Sequence, residues 1–533
     1  MKINIYIISF LLFIGVASCD VELIPETQIT DPSFWKSESD VRSATNYLYT
    51  FLPGMTTEDV WSDNAYGTQS DPISDGSRLP PSTAADYSDP YRLIRAANNI
   101  LEKVPPAPVD EEVKAIYIGE ARFFRAFAYF QLFQKYGGVP LVTRTLTESD
   151  PELTAGAASR EDVINQIYED LDFAIDVLQY PSELGASQYG RISKSSALAL
   201  KSRVGLFEGT RAKFHAYGNP QLHLNAAIAA ARELIESGEH ELRDSYFELF
   251  QYDGEGPDNK ENILVKQYGT SSSNIVLNHN FSLDLYTGKL NPTKSLVDSY
   301  LMKDGLPIEQ SPMYKTPTVS VEVFENRDER LEASVFKQGE AYNRGATFAT
   351  PLQYHKTGFG PKKYFNAEDF ETRRALLDRV IIRYAEVLLN FAEASYELNE
   401  GISDEELDLS INKLRQRAGI PPLSNQFIVS HGLGMQEEIR RERRVELALE
   451  GFRYWDLIRW KTAEQELVKP VLGNYFFVEE FGLETPVNTT EEGYIVAQEA
   501  SFRRFDPNKD YLWPFPVNEL GLNPGLVQNP GWK

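Results

Sequence analysis

The sequence predicts a mainly α-helical protein, built as a degenerate tetratricopeptide-like helical-repeat scaffold that carries a large loop-rich insertion with short strands. Long segments in which apolar residues recur with a helical period predict the helices. Pairs of alanines seven residues apart beside large aromatics, Ala121 with Ala128 and Ala385 with Ala392, predict close helix packing. Between roughly 240 and 370 this periodicity fades and Gly, Pro, Ser and Asn become frequent, which predicts loops and short strands. A plain helical domain stays open as the alternative, because the spacing between the helical hairpins is irregular.

The helices can be assigned in order from their end signals. Residues 37–52 open with Ser37 and carry Asp40 three positions later, which is the spacing of a capping box. Residues 89–106 end where prolines stop the helix, and residues 110–138 start with acidic residues and end in paired glycines. The same reasoning predicts helices at 160–179, 194–208, 223–237, 374–399, 405–418 and 435–461.

The most highly charged predicted helix lies within residues 437–460. Glutamates at 438, 442, 446 and 450 recur every four residues, and arginines are interleaved with them. Arginine clusters also occur in phosphate sites, but the interleaved acids and the acidity of the whole chain argue against such a site here. The pattern therefore predicts a structural ion-pair network, and Trp455 and Trp460 indicate that this segment also packs deeply.

The first 18 residues are predicted to form a signal peptide. Lys2 precedes a mostly apolar run at 5–16, which is too short for a comfortable membrane span of about 20 residues, and small residues follow it. Cys19, the only cysteine in the chain, comes next, as the lipid-bearing cysteine does after a bacterial lipobox. We therefore expect Cys19 to carry a lipid anchor and residues 19–36 to form a tether. An ordinary secreted protein with a chance cysteine is the alternative.

Composition argues against several classes of function. The formal charge is −25 and the pI is near 4.8, so the surface should repel nucleic acid and anionic lipid. The motifs of P-loops, dinucleotide sites and zinc proteases do not occur, so we expect no enzyme and no cofactor. A surface glycoside hydrolase stays open, because a catalytic carboxylate pair cannot be recognised among 78 acidic residues. Residues 62–76 and 252–262 are rich in oxygen ligands without an EF-hand pattern, so solvated turns are favoured over a structural calcium ion.

Four segments carry a resemblance to a known family. They occur in the order YRLIRAANNILEKV, GEARFFRAFAYFQLFQKYGGVPLV, RRERRVELALEGFRYWDLIRW and YLWPFPVNELGLNPGLVQNPGW. Together with the lipobox, they resemble the SusD/RagB family, the outer-membrane nutrient-binding lipoproteins of Bacteroidota. The resemblance runs from Cys19 to the last residues, and it implies a tetratricopeptide-like scaffold with an elaborated loop-rich region.

The resemblance also implies a division of the chain and a function. The division is an N-terminal SusD-like helical region at 37–240, a loop-rich region at 241–372, and a C-terminal SusD/RagB-like helical region with its tail at 373–533. The implied function is capture of oligosaccharides, or in some members of peptides, on the outer face of the outer membrane. The captured ligand would pass to a SusC-like TonB-dependent transporter, and the membrane would be contacted only through the lipid anchor.

Candidate ligand-binding residues follow from the chemistry of sugars. A pyranose has an apolar face and a rim of hydroxyls, so it needs an aromatic platform flanked by polar side chains. The loop between the first two helices, which the resemblance favours, offers Trp61, Asp63, Asn64, Tyr66, Asp71, Asp75 and Arg78. A second set is Tyr342, Asn343, Arg344 and Phe348, and a third lies within residues 267–280. The polar composition of the first loop predicts that Trp61 is exposed, and packing inside a loop is the alternative for each aromatic.

Overall fold

A computed structural model describes residues 34–269, 277–342, 345–350, 352–481 and 487–533. The predicted signal peptide, Cys19 and most of the predicted tether lie outside the described residues. Within the described ranges, helices dominate and the strands are few and short, which confirms the predicted mainly α-helical class. No helix of these ranges is long and apolar enough to cross a membrane.

The N-terminal part of the chain consists of helices that pack on their neighbours in sequence. These helices are α1 (Glu38–Leu48), α2 (Ala85–Lys103), α3 (Glu111–Tyr136), α4 (Arg160–Val177), α5 (Pro181–Leu184), α6 (Lys194–His215) and α7 (Pro220–Glu236). Helix α2 packs on α3, α3 packs on α4, and α6 packs on α7. This succession of paired helices is the arrangement of a tetratricopeptide-like scaffold, so the predicted helical repeat is confirmed.

The loop-rich part carries only short helices, and longer ones return after it. The short helices are α8 (Phe281–Tyr286), α9 (Lys294–Ser299), α10 (Glu329–Ser334) and α11 (Ala367–Thr372). The later helices are α12 (Tyr384–Asn399), α13 (Asp404–Leu409), α14 (Ile411–Arg417), α15 (Asn425–His431), α16 (Met435–Glu446), α17 (Arg453–Arg459), α18 (Ala463–Glu466), α19 (Val478–Phe481) and α20 (Val517–Leu522). Helices α12 and α17 both pack on α6, which joins the C-terminal part to the repeat. The region boundaries predicted after 240 and 372 stay predictions.

Short strands pair into three antiparallel sheets of two strands each in the described part of the chain. The pairs are β1 (Ala65–Tyr66) with β3 (Asn291–Pro292), β2 (Asn262–Lys266) with β4 (Arg379–Arg383), and β5 (Val471–Tyr475) with β6 (Tyr494–Gln498). The first two sheets join segments that are distant in sequence. They hold the loop between α1 and α2 against the loop-rich part, and the loop-rich part against the start of α12.

Small residues let the helices approach one another closely. The four alanines whose spacing predicted close packing are all fully buried. On α6, a Cβ atom added at Gly205 would lie 2.7 Å from the carbonyl oxygen of His223 and 2.8 Å from the amide nitrogen of Ala227, both on α7. A larger residue at position 205 would therefore force the two helices apart.

The helix ends largely agree with the sequence signals. Ser37 caps α1 and forms a capping box with Asp40, as predicted. Asp110 caps α3, and Gly137 ends it with a positive φ of 77°. Both ends of α3 therefore fall within two residues of the predicted ones.

Four predicted helices differ from the structure. The helix predicted at 194–208 continues to His215, and the helix predicted at 405–418 is divided at Ser410 into α13 and α14. The helix predicted at 374–399 starts only at Tyr384, because residues 379–383 pair with β2 as a strand. The helix predicted at 435–461 is interrupted between α16 and α17. There Leu449 and Gly451 adopt positive φ angles of 63° and 88°, a conformation that ends an α-helix.

A buried ion-pair network, which we call the central ion network, links distant parts of the chain. Its cations are Arg330, Lys363, Arg383, Arg415, Arg417 and Arg441, and its anions are Glu261, Asp328, Glu438, Glu442, Glu446 and Glu450. The structural role predicted for the charged helix is confirmed. Most of the arginines come from other segments, so the network ties α16 to the rest of the fold rather than stabilising that helix alone.

Candidate functional site

The Trp61 side chain is partly buried in an aromatic cluster. Its ring makes edge-on contacts with Tyr454, Trp455 and Trp513, at centroid distances of 5.9, 6.5 and 5.4 Å. Such contacts stabilise packed clusters beyond the area that they bury. The expectation that Trp61 is exposed is therefore wrong, because residues of the C-terminal part cover the loop. Contact between Trp61 and a ligand stays a prediction.

Asp63 and Asn64 are tied to arginines of the C-terminal part. Asp63 accepts hydrogen bonds from Nε of Arg453 at 2.8 Å and from Nη2 of Arg444 at 2.9 Å. Burial opposes ionisation, but these two guanidiniums lower the pKa of Asp63, so its carboxyl stays charged. Asn64 is 1% exposed and bonds Asp59 at 3.0 Å and Arg444 at 2.8 Å. Its amide is used inside the protein, and contact between Asn64 and a ligand stays a prediction.

The other residues predicted in this loop also meet the C-terminal part or their own backbone. The guanidinium carbon of Arg78 lies 3.6 Å from the ring centre of Trp513. Tyr66 is half-buried, and burial raises its pKa against the opposing charge of Arg503. The carboxylates of Asp71 and Asp75 accept hydrogen bonds from backbone amides two residues further on. The loop therefore behaves as a packed Asx-rich segment with few free polar groups.

The second predicted set is packed into the core of the loop-rich part. Phe348 is 1% exposed and stacks on Phe336 at 5.1 Å, and the half-buried Tyr342 stacks on Phe365 at 4.8 Å. The Phe348 ring is used in the core of the loop-rich part, and its contact with a ligand stays a prediction. Asn343 and Arg344 lie outside the described residues, and so do positions 270–276 of the third predicted set.

Three tyrosines that the sequence analysis did not select line one surface cavity. Tyr475 ends β5 and lies opposite Tyr494 of β6 in the antiparallel register, so both rings project from the same side of the sheet. Their centroids are 6.0 Å apart with perpendicular planes. Tyr314 lines the same space, and burial and the neighbouring Tyr494 raise its pKa. We call this space the tyrosine cavity, lined by Tyr314, Tyr475, Tyr494, Asn474, Asp298 and Lys294.

The backbone fixes the rings at the mouth of the tyrosine cavity. Tyr475 is 41% exposed, which is high for an aromatic ring held in place by its neighbours. Gly493 has a φ of 94°, and a Cβ there would lie 2.6 Å from the Tyr475 ring. Glycine is therefore required beneath this ring. On the other side, the ammonium of Lys294 lies 4.5 Å from the ring centre of Tyr494, a cation–π contact that holds the second ring.

Uncommitted polar groups surround these rings. The three tyrosine hydroxyls and Nδ2 of Asn474 make no hydrogen bond with the part of the chain that the structure describes. Asp298 accepts a hydrogen bond from Lys294 one turn earlier on α9 and keeps further acceptor capacity. An aromatic platform edged by free donors and acceptors is the arrangement that a sugar ring needs.

A second cavity, of about 270 Å³, adjoins the tyrosine cavity. The two cavities share Lys294 and Asp298, and the second extends to Asp63, Lys469 and Arg503. We call it the arginine cavity after Arg503, which is only 7% exposed. Among the predicted binding residues that the structure describes, Asp63 is the one that lines either cavity.

The sequence did not indicate these tyrosines as binding residues, because the tail after residue 470 has the composition of a loop. The available signal was two short segments, 471–475 and 494–498, that are typical of strands and have Gly493 at the entry to the second. The connection between them is long, so sequence alone does not give the register that brings Tyr475 and Tyr494 together.

Acidic and histidine side chains are the groups that could form a metal site in this chain. In the described ranges, no group of three or more His, Cys, Asp or Glu side chains is arranged to hold a metal ion. Several oxygens of the two predicted loops are engaged elsewhere: Asp63 with two arginines, and Glu261 with Arg383. The statement on a structural calcium ion stays a prediction.

Fold and site together define a class of protein, a helical-repeat scaffold with an open, aromatic-lined cavity between its loop-rich and C-terminal parts. Comparison with known families identifies the family of this chain. A family model described as "SusD family" matches residues 260–532, and another described as "Starch-binding associating with outer membrane" matches residues 38–206. The chain belongs to the SusD family, which confirms the resemblance carried by the four segments.

Individual relatives agree with this assignment. SusD-like protein P38 of Formosa agariphila is 28% identical over 509 residues, which cover 87% of this chain and 93% of the relative. The crystal structure of a SusD-like carbohydrate binding protein from Bacteroides fragilis is 27% identical, with a TM-score of 0.75 over 93% of this chain and 100% of the other. A laminarin binding SusD-like protein, 22% identical with a TM-score of 0.63 over 93% of this chain and 100% of that one, shares the fold.

Proposed function

We propose that this protein is a non-enzymatic surface lipoprotein that binds oligosaccharides. The tyrosine cavity carries the proposal, because its rings match the apolar face of a sugar and its free hydroxyls, with Asn474 and Asp298, match the hydroxyl rim. The relatives described as carbohydrate binding and laminarin binding support this class of ligand.

We further propose that Cys19 carries the lipid that holds the protein on the outside of the outer membrane, and that bound oligosaccharide passes to a SusC-like TonB-dependent transporter. The lipobox-like sequence supports the anchor. The family description "associating with outer membrane" supports the location. Membranes solubilised in mild detergent and captured through this protein should yield a TonB-dependent barrel. Recovery of the lipoprotein alone would contradict the delivery step.

Binding to the tyrosine cavity can be tested by calorimetric titration of the purified lipoprotein with a panel of oligosaccharides and peptides. Tyr475→Ala should weaken oligosaccharide binding about tenfold or more, since it removes an aromatic anchor. Tyr475→Phe should keep most of the affinity. Tyr47→Ala is the matched control, because Tyr47 is 51% exposed but lies on α1, away from the cavity.

The same samples separate the competing functions. Chromatography of the oligosaccharide after incubation should show unchanged chain length, whereas shortened products would indicate a glycoside hydrolase. Binding of peptides with no binding of oligosaccharides would indicate a peptide-binding member of the family. Equal oligosaccharide affinity in wild type and Tyr475→Ala would remove the tyrosine cavity from the site.

A further inference from the structure

The lining of the arginine cavity holds three basic and three acidic side chains, and two further arginines pair with one of the acids, Asp63. Asp63 is shared by Arg444 and Arg453, whose side chains are both 11% exposed. Arg503 lines the same cavity, and the charges of Asp75 and Asp63 act on its pKa without forming an ion pair with it. Three guanidiniums therefore lie near Asp63 in a chain whose formal charge is −25.

Arg503 is the least compensated of these three groups. Its Nε donates to the carbonyl of Leu467 at 2.8 Å, and its Nη1 donates to Oε1 of Gln498 at 2.6 Å. No carboxylate of the described residues lies within 4.0 Å of it, and its Nη2 makes no hydrogen bond to them. A buried charge that lacks a counter-charge is unfavourable. Burial accordingly lowers the pKa of Arg503.

Arg383, which is 1% exposed, shows how this chain pairs another buried guanidinium. Its guanidinium meets Glu261 at 2.9 Å, Glu446 at 2.5 Å and Glu450 at 2.7 Å. Arg503 has neutral oxygens in place of these carboxylates, and it borders open space instead of packed protein. An anion that entered the cavity would supply the missing partner through a charge-assisted hydrogen bond.

The rim of the arginine cavity is compatible with an anion. Lys294 and Lys469 each carry their own carboxylate, Asp298 and Glu466, so these pairs add no net repulsion. The Lys469 side chain is 59% exposed and can turn toward a ligand. The volume of about 270 Å³ suits one substituted sugar unit and is near the lower end of small-molecule pockets.

We propose that the arginine cavity binds a negatively charged substituent, a carboxylate or a sulfate ester, of a glycan whose neighbouring unit packs on the exposed Tyr475 ring at the mouth of the tyrosine cavity. The cavities share Lys294 and Asp298, so one oligosaccharide can contact both. Nη2 of Arg503 donates to the anion, and the exposed Lys469 ammonium can turn toward it. The inference rests on the proposed oligosaccharide binding and narrows it to acidic glycans.

The test compares oligosaccharides that differ only in charge. One pair is an oligogalacturonate and its carboxyl-reduced counterpart, and the other is a sulfated carrageenan oligosaccharide and its desulfated counterpart. Titration of the full lipoprotein should give, for at least one pair, about tenfold or tighter binding of the acidic member. The responding pair tells carboxylate from sulfate. The affinity of the acidic member should fall with rising salt, and that of the neutral member should not.

Variants of the cavity residues test whether the arginine cavity causes the tighter binding of the acidic member. Arg503→Gln should abolish the preference for the acidic member, and Lys469→Gln should reduce it without disturbing the buried hydrogen bonds of Arg503. The matched control is Lys260→Gln, because Lys260 is 54% exposed and paired with Glu241 but lies outside the cavity. Thermal melts identify any variant that fails to fold, and in that case Lys469→Gln carries the test.

Each outcome decides between the proposals. Equal binding of acidic and neutral members, still dependent on Tyr475, would overturn the acidic-glycan inference and leave oligosaccharide binding standing. An acidic preference that survives in both Arg503→Gln and Lys469→Gln would overturn the assignment to this cavity. No binding of any oligosaccharide, acidic or neutral, would overturn both proposals.

Discussion

Glu446→Gln should strongly destabilise the protein, because Glu446 is the most shared anion of the central ion network. Its fully buried carboxylate meets Arg330 at 2.8 Å and Arg383 at 2.5 Å, and it also bonds Arg417. Burial opposes ionisation, but these guanidiniums keep the pKa of Glu446 well below its ordinary value. Glutamine keeps the shape and removes the charge, so three buried guanidiniums lose their common partner.

The magnitude follows from the remaining partners. Removing one member of a buried ion pair costs about 3–5 kcal/mol, because the other charge stays buried. Each of the three arginines keeps another carboxylate, Glu442 or Asp328 for Arg330 and Glu261 or Glu450 for the others. We therefore expect a loss of about 4 kcal/mol, and not three times that value. This is a large part of the roughly 5–15 kcal/mol by which native domains are stable.

The measurement is urea-induced unfolding followed by tryptophan fluorescence, since urea carries no charge and leaves ion pairs unscreened. The matched control is Glu437→Gln, because Glu437 lies on the same helix but is exposed, and its loss should change the free energy of unfolding by less than about 0.5 kcal/mol. A loss below about 1 kcal/mol for Glu446→Gln would refute the reasoning, because the network would then add little to stability.

Other predictions address the packed loop, the anchor and the pH dependence. Trp61→Ala should lower the free energy of unfolding by about 3 kcal/mol in urea titrations and leave the glycan affinity of the folded molecules nearly unchanged. A tenfold loss of affinity without loss of stability would instead indicate that Trp61 contacts the glycan. Cys19→Ser should move the protein from the membrane fraction to the soluble fraction with an unchanged melting temperature, and retention in the membrane would contradict the lipid anchor. Burial and the nearby Asp378 raise the pKa of Glu255 to about 8, so its contribution to stability is present at acidic pH and is lost as the pH rises through about 8. Melting temperatures should therefore fall from about pH 5 to pH 9 in wild type and fall less in Glu255→Gln, and parallel profiles would disprove this role.

The helical scaffold could be predicted because its signals are local. The Ser37 cap, the acidic start of α3 and the alanines at seven-residue spacing each report on neighbours within a few turns of the chain. One helix correction has a non-local cause, because pairing with β2 turns residues 379–383 into a strand. The break between α16 and α17 is local, since Leu449 and Gly451 adopt positive φ angles there.

The binding site was harder to predict, because exposure is decided by distant segments. A polar loop suggested an exposed Trp61, but Trp513, far along the chain, covers it. Tyr475 and Tyr494 lie on a common face only because of the strand register. Arg503 differs from the buried Arg383 because no carboxylate of the described residues lies within ion-pair distance of it. Such features are properties of the assembled fold, so the sequence predicts the class of site better than its members.

The central ion network also makes burial of its charges depend on segments far apart in the chain. Helices α2, α3 and α4 contact neighbours close in sequence, so they can form early. Glu261, Arg330, Arg383 and Glu446, in contrast, must all be present before any of their charges can be buried. The loop-rich and C-terminal parts should therefore close in one late, cooperative step of high contact order. A chain cut anywhere between Glu261 and Glu446 would hold charges without partners and would leave α6 without α17, so its product should not be a smaller version of the whole.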